Sequence, residues 1–411
     1  MRLHSRLFLA GTLTAALAIS GCSSQTSSNP RELSGSDSAS PSASPTTSDQ
    51  NDAKHRDCGG IPLIPNADLR GCDFHDANLS GKRLMGADLT NAILTNAHLN
   101  STMLVRANLT NVKLTGATLS GAELSGALLS GVISGGIAGA AAKLPGGWKA
   151  NKGFLLGPGA NLAGANLTSV SLEQTDLSNA NLTGANLTDN PRTFKLDLSN
   201  ANLAGANLSG TYLNYEARMT GANLTGANMT GGHWDHMTLN KANLTGQKLA
   251  GVNLTGSNLA NATLANATLT GATLTDANLT DANLDHATLD GATLSGASLK
   301  GAVLTNANLS NANMQPSSAN HRTDLSYAHL QGAILTKAQM HLVYLNSANL
   351  GGANLQKAVI TNANIAYGEW YGANLAGANL TGSGGIGSGI DKATTDSTTI
   401  CMNGKPGPCH Y

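Results

Sequence analysis

The sequence predicts an all-β solenoid built from five-residue units over residues 67–380. Three observations lead to that fold class. A large apolar residue returns at every fifth position, as at Leu69, Phe74, Leu79, Leu84, Leu89, Leu94 and Leu99, and on to Leu129. The residue two places earlier is usually Ala (Ala67, Ala77, Ala87, Ala92, Ala97), with Asp68, Asn78 or Asp88 standing between. The composition is also monotonous: 48 of 411 residues are Gly, aromatics are 3% and charged residues 12%, leaving Ala and Leu as nearly all of the apolar content. A globular core of this length needs varied, bulky side chains. One small packing unit used many times does not.

A period of five matches neither the helical 3.6 nor the strand 2. Within a unit, however, Ala-Asn-Leu alternates in, out, in, which is strand logic. Ser or Thr follows the large residue, then Gly, Asn or Asp, and this pair is turn chemistry. Each unit therefore reads as one short extended side and one corner.

The pattern resembles the pentapeptide-repeat family, whose unit is written A(D/N)LXX. The resemblance covers about three quarters of the chain, with about 55 units in register. It implies a right-handed quadrilateral β-helix of four units per coil, with Ala and Leu inside and the other three positions outside. At a strand spacing of ~4.8 Å, about 14 coils would rise roughly 65 Å. Backbone bonds would run between coils, and each end would need a cap against edge pairing. Some family members inhibit type II topoisomerases as DNA mimics with acidic faces.

The register breaks at about 130–159, 188–197, 214–218 and 315–324. The first break carries Leu144, Pro145, Gly146, Gly147 and Trp148, then Gly153 and Phe154. Inserts with a similar Leu-Pro-x-Gly-Trp core occur in exported members of the family and imply a small hairpin packed down by Trp148 and Phe154. It reads as a structural clasp or as a recognition loop. Pro191 and Pro316 cannot donate ladder bonds and mark bulging loops. The third break reads as a one-residue bulge near Tyr215. Lys82 and Gln247 stand where an inward Ala is expected, so the coil is distorted there or Lys82 extends its ammonium to water.

The N-terminus reads as an address. Arg2 and Arg6 precede an apolar run over residues 7–19, too short for a comfortable permanent span. Ile19, Ser20, Gly21 and Cys22 resemble a bacterial lipobox, which implies cleavage before Cys22 and a lipid on its thiol. Residues 1–21 are then a lipoprotein signal peptide and residues 22–57 a Ser/Thr/Pro-rich tether without apolar periodicity. Residues 58–385 form the β-helix, with the insert at 130–159, and 386–411 a C-terminal cap. The expected location is the cell envelope, membrane-anchored on the extracytoplasmic side.

The remaining cysteines fall as a close pair at each end of the repeats. In an export compartment this predicts disulfides Cys58–Cys72 and Cys401–Cys409, each stapling a cap. A four-cysteine zinc site would require ligands from opposite ends.

Signals for chemistry are few. His233, Trp234, Asp235 and His236 form the one local cluster with metal-ligand residue types, but an inward Trp234 sends the two histidines to different parts of the surface. No nucleophile–base pair, phosphate loop or dinucleotide fingerprint appears, so no catalytic residue, metal or cofactor is expected. Thr268, Thr270, Thr273, Thr275, Thr293 and Ser295 make patchy outward pairs resembling an ice-binding ladder. With 24 Lys+Arg against 24 Asp+Glu, the chain has neither the basic balance of a nucleic-acid binder nor an acidic mimic's excess. The reading that follows is a non-enzymatic envelope lipoprotein, a rigid interaction or scaffold module. Its expected partners are the membrane, through Cys22, and a protein or cell-wall polysaccharide. No nucleic acid is expected, and topoisomerase inhibition is the alternative.

Overall fold

The computed structural model describes residue 58 and residues 60–410, apart from 142, 189, 191, 192, 214, 215 and 386. The predicted leader, the tether, Cys22, Pro191 and Tyr215 lie outside the described residues. The chain winds in coils whose steps are parallel bridges twenty residues apart, such as Asp68 to Asp88, Asp73 to Ile93, Asn78 to His98 and Arg83 to Met103. These four pairs begin the first, second, third and fourth sides of the stack.

Each side is held by a short, repeated hydrogen-bond set. Leu69 N–H donates to the Asp88 carbonyl at 2.7 Å, and Asp88 N–H returns to the Ala67 carbonyl at 2.9 Å. The corner closes when Cys72 N–H donates to the Leu69 carbonyl at 3.2 Å. The third residue of that turn lies in the left-handed region, as Gly71 (φ 66°) and Asn91 (φ 61°) do, which is type II turn geometry. Gly and Asn adopt that conformation at least cost, so they recur there.

The outward Asn has a structural task as well. The Asn108 carboxamide oxygen accepts from Thr110 N–H at 3.1 Å and from its hydroxyl at 2.6 Å. The same Asx turn recurs at Asn166 and Asn243. Along the second side, Asn181 Nδ2 donates to Asn161 Oδ1 at 3.2 Å and Asn223 Nδ2 to Asn202 Oδ1 at 3.0 Å. The Asn-Leu-Thr triplets are thus the local code that folds the corner.

The inward Ala and Leu are almost all fully buried. The core forms two clusters that meet at the insert: Leu155 belongs to the N-terminal one, Leu156 to the C-terminal one, and Trp148 packs against both. Lys82 is exposed while its carbonyl accepts normally from Met103 N–H at 2.9 Å. The coil is regular there and only the side chain leaves the core. Gln247 is buried and its Nε2 donates to the Ala227 carbonyl.

Candidate interaction surface

The individuality of the chain lies where the twenty-residue step fails. Ile133 bridges Asn161, a step of 28; Asp176 bridges Asp197 and Arg218 follows Asp197, steps of 21; Ser298 bridges Asp324, a step of 26. The insert is narrower than residues 130–159, because Ile133, Ala138 and Lys143 still bridge the coil before them. Its extra length falls between Lys143, on the fourth side, and Asn161, on the second. The other additions fall between Leu187 and Thr193, between Leu213 and Ala217, and between Met314 and Thr323. All four therefore border the fourth side, while up to Gly384 the corners joining the first side to the second and the second to the third keep their register; beyond it, at the C-terminal cap, Glu369 bridges Ser388, a step of 19, and Asn379 bridges Ile400, a step of 21.

In the first interruption, β1 (Lys149–Asn151) pairs antiparallel with β2 (Phe154–Leu156). Lys149 Nζ donates to the Glu173 and Gln174 carbonyls at 2.8 and 2.6 Å, and Asn151 Nδ2 to the Ser171 carbonyl at 3.0 Å. Leu155 N–H donates to Ser134 Oγ at 2.9 Å from the other direction. The hairpin thus clasps coils on both sides of the core junction. A Cβ on Gly157 would stand 2.2 Å from the Trp148 ring. Gly157→Ala is expected to expel Trp148 at a cost of about 1–3 kcal/mol. Limited proteolysis checks this: new cleavage within residues 145–153 is expected, and wild-type resistance would contradict it.

Around the second and third interruptions, an open hollow of about 480 Å³ is lined by Lys195, Leu196, Asp197, Glu216, Arg218 and Thr238. Lys195 Nζ lies 3.7 Å from Glu216 Oε2. On the fourth side nearby, the Tyr212 and His233 rings lie 4.9 Å apart. In the last interruption, residues 315–322 fold back over one corner: Ser317 Oγ donates to Asp276 Oδ1, and His321 Nδ1 lies 3.4 Å from the same oxygen. Gly296 makes room, since a Cβ there would meet both Asp276 and Ser317 within 2.3 Å.

The structure joins Cys58 to Cys72 and Cys401 to Cys409, each with Cα atoms 5.6 Å apart. At the C-terminal cap, Asp396 accepts from the Thr398 hydroxyl at 2.7 Å, and from Gly377, Thr398 and Thr399 N–H at 3.1, 2.9 and 2.9 Å. The Thr398 hydroxyl, with the Gly377 and Thr398 amides and the Thr399 hydroxyl, holds its pKa down at about 2, against the opposing effect of desolvation. A depressed carboxylate contributes stability above its ordinary value of 3.8 that is lost as pH falls toward 2. Amide shifts of Gly377 and Thr398 should titrate with a midpoint near 2. A midpoint at the ordinary value would show that the carboxylate does not organise the cap.

Trp234 is fully buried, and His233 and His236 are exposed on a side and a corner. Among the described residues no group of three or more His, Cys, Asp or Glu could hold a metal ion. Thr268 bridges Thr288 and Thr273 bridges Thr293, so the threonines stack on two sides, flanked by Lys248 and Asn253 below. Among the described residues no helix is long and apolar enough to cross a membrane.

Several solved proteins are similar to this chain. HetL, involved in heterocyst differentiation regulation in Nostoc sp. strain PCC 7120, is 30% identical, covering 55% of this chain and 92% of its own, with TM-score 0.25. QnrB1, a plasmid-mediated fluoroquinolone resistance protein, is 16% identical over 46% of this chain and 91% of its own, with TM-score 0.21. A pentapeptide repeat protein of the Arabidopsis thaliana thylakoid lumen is 26% identical over 30% and 68% of the two chains, with TM-score 0.14. No curated relative matches in sequence. The pentapeptide-repeat family model matches residues 67–102, 92–131, 159–189, 196–232, 238–276, 277–315 and 323–362, which is more than half of the chain. With its five-residue sides and type II corners, this chain belongs to the pentapeptide-repeat family, whose members form right-handed quadrilateral β-helices.

Proposed function

We propose that this chain is a non-enzymatic cell-envelope lipoprotein, anchored through Cys22, whose coil stack is a rigid interaction or scaffold module. One observation carries the interaction reading: the four register interruptions that precede the C-terminal cap border the fourth side. The outward Asn residues elsewhere are largely occupied by their own turns and ladders. Variation gathered along one edge of a uniform scaffold is the arrangement expected of a binding surface. Arg2, Arg6, the apolar run and the lipobox-like residues before Cys22 support the address. The partner is a protein or a cell-wall polysaccharide. Balanced charge, and Asn far more often than Asp at the outward side positions, weigh against DNA mimicry.

Cross-linking on intact cells, followed by identification of what is captured, tests the interaction. Capture should reach envelope components and be lost when the loop at 315–322 is replaced by a regular corner. Metabolic labelling with a fatty-acid analogue should mark the wild type and not Cys22→Ala; equal labelling of both would end the lipoprotein reading. Inhibition of a type II topoisomerase in a supercoiling assay would favour DNA mimicry instead.

A further inference from the structure

The last coils carry exposed tyrosines in an ordered arrangement. Tyr327 and Tyr367, 54% and 81% exposed, occupy the corner between the first and second sides. Ser347 holds the same corner in the coil between them: Tyr327 N–H donates to the Asn346 carbonyl at 3.0 Å, and Ser347 N–H to the Ala366 carbonyl at 2.8 Å. Two coil spacings put the tyrosine backbones about 10 Å apart along the stack. Beside them, Ser326, Asn346 and Ala366 form a low strip, with Ser326 Oγ donating to Asn346 Oδ1 at 2.8 Å. The strip's far wall is Tyr344 on the first side, its ring covered by Arg322 at 5.6 Å. Lys300 similarly covers Tyr327 at 5.7 Å.

Resting on the envelope location in that reading, and on a face distinct from its fourth side, the geometry points to this strip as a binding site for an extended β-linked glycan chain. Sugar rings present an apolar C–H face and a hydroxyl edge, and the strip offers aromatic walls over a low floor whose polar group is the Asn346 amide, with the Ser326 hydroxyl buried against it and the Ala366 methyl beside it. The two-coil interval between Tyr327 and Tyr367 is close to the length of a disaccharide unit in an extended β-1,4 chain. A polymer with that repeat meets a tyrosine at each unit, and the intervening Ser347 leaves room for the turned-over sugar between them. A rigid corner presents the rings without the ordering cost that flexible loops incur. Tyr371 is outside the site, since its hydroxyl pairs with Ser388 at 2.8 Å and its ring lies against Gly389.

The test uses the full chain on insoluble chitin, cellulose and purified peptidoglycan. Asn replaces tyrosine because both positions have positive φ, which Asn tolerates. Wild type should be retained on at least one of the three glycans. The double variant Tyr327→Asn, Tyr367→Asn should bind at least about tenfold more weakly with an unchanged thermal transition. Tyr212→Asn, on the fourth side, should bind as wild type does. Absence of wild-type retention on all three glycans, or equal retention of the double variant, would overturn the assignment. Protein capture on cells without glycan retention sinks the glycan site and leaves the interaction module standing. Glycan retention with Cys22 unlabelled does the reverse for the lipoprotein reading.

Discussion

Replacing Trp234 with alanine is expected to destabilise the coil stack by about 3–5 kcal/mol, the cost of emptying a fully buried indole site. Trp234 is 0% exposed, and its Nε1 donates to the Met229 carbonyl at 3.3 Å. It occupies the position of the repeated Leu, so its extra volume must come from a neighbour. The small inward residue of the same unit supplies it: a Cβ on Gly232 would lie 2.3 Å from Trp234 Nε1. The second buried indole repeats the arrangement, with a Gly368 Cβ falling 2.8 Å from Trp370 Nε1. Gly232 has no left-handed backbone to explain it, so volume is the reason for the glycine.

Volume exchange between the two residues is directly measurable. Gly232→Ala alone should cost about 1–3 kcal/mol by overpacking. In a Trp234→Leu background the same change rebuilds an ordinary Ala-Leu unit and should be neutral or stabilising. Guanidinium unfolding of the four variants measures the coupling. Additive effects would show that the pair does not exchange volume.

Removing the N-terminal disulfide should have the second large effect. Cys58 and Cys72 are 14 residues apart and both buried, Cys72 completely. Cys72 takes an inward small position in the first coil, so its partner covers the open end of the core. A closed loop of this length contributes about 3 kcal/mol by restricting the unfolded chain. Arg70 adds a fork to Asp68, with both contacts at 2.9 Å, which holds its guanidinium protonated still more firmly than usual. In a solenoid each coil is stabilised chiefly by its neighbours, so the loss should stay local. Amides of Leu69, Gly71 and Phe74 should exchange faster in Cys58→Ala, Cys72→Ala, while those of Leu279 and Leu284 keep wild-type protection. Unchanged exchange in the first coil would show that the disulfide does not hold the cap.

The reach of the sequence differs from residue to residue. The corner chemistry is legible because an Asn, the Thr two places on and the following Gly act within one turn. No distant contact is needed to place Asn108 and Thr110, whose bonds close locally. Lys82 is less transparent: period alone assigns it inward, but an ammonium gains more from water than from the core, and the coil keeps its shape around the exposed side chain. Gln247 follows its period because one carbonyl satisfies its amide inside. Gly232 and Trp234 are both visible in the chain, yet their dependence on each other appears only when an indole and an absent methyl are placed in the same small space.

The five-residue side, the corner and the inward Ala-Leu core follow from the order of residues, because each is settled within one unit and repeated until the stack is cooperative. Which outward residues meet is settled only by the winding of the chain in three dimensions. Asp276 receives Ser317 and His321, Arg322 covers Tyr344, and Tyr327 lines up with Tyr367. Those neighbours are set by steps of 20, 21, 26 or 28 residues and by the path of the added loops, and local periodicity carries no information about that path.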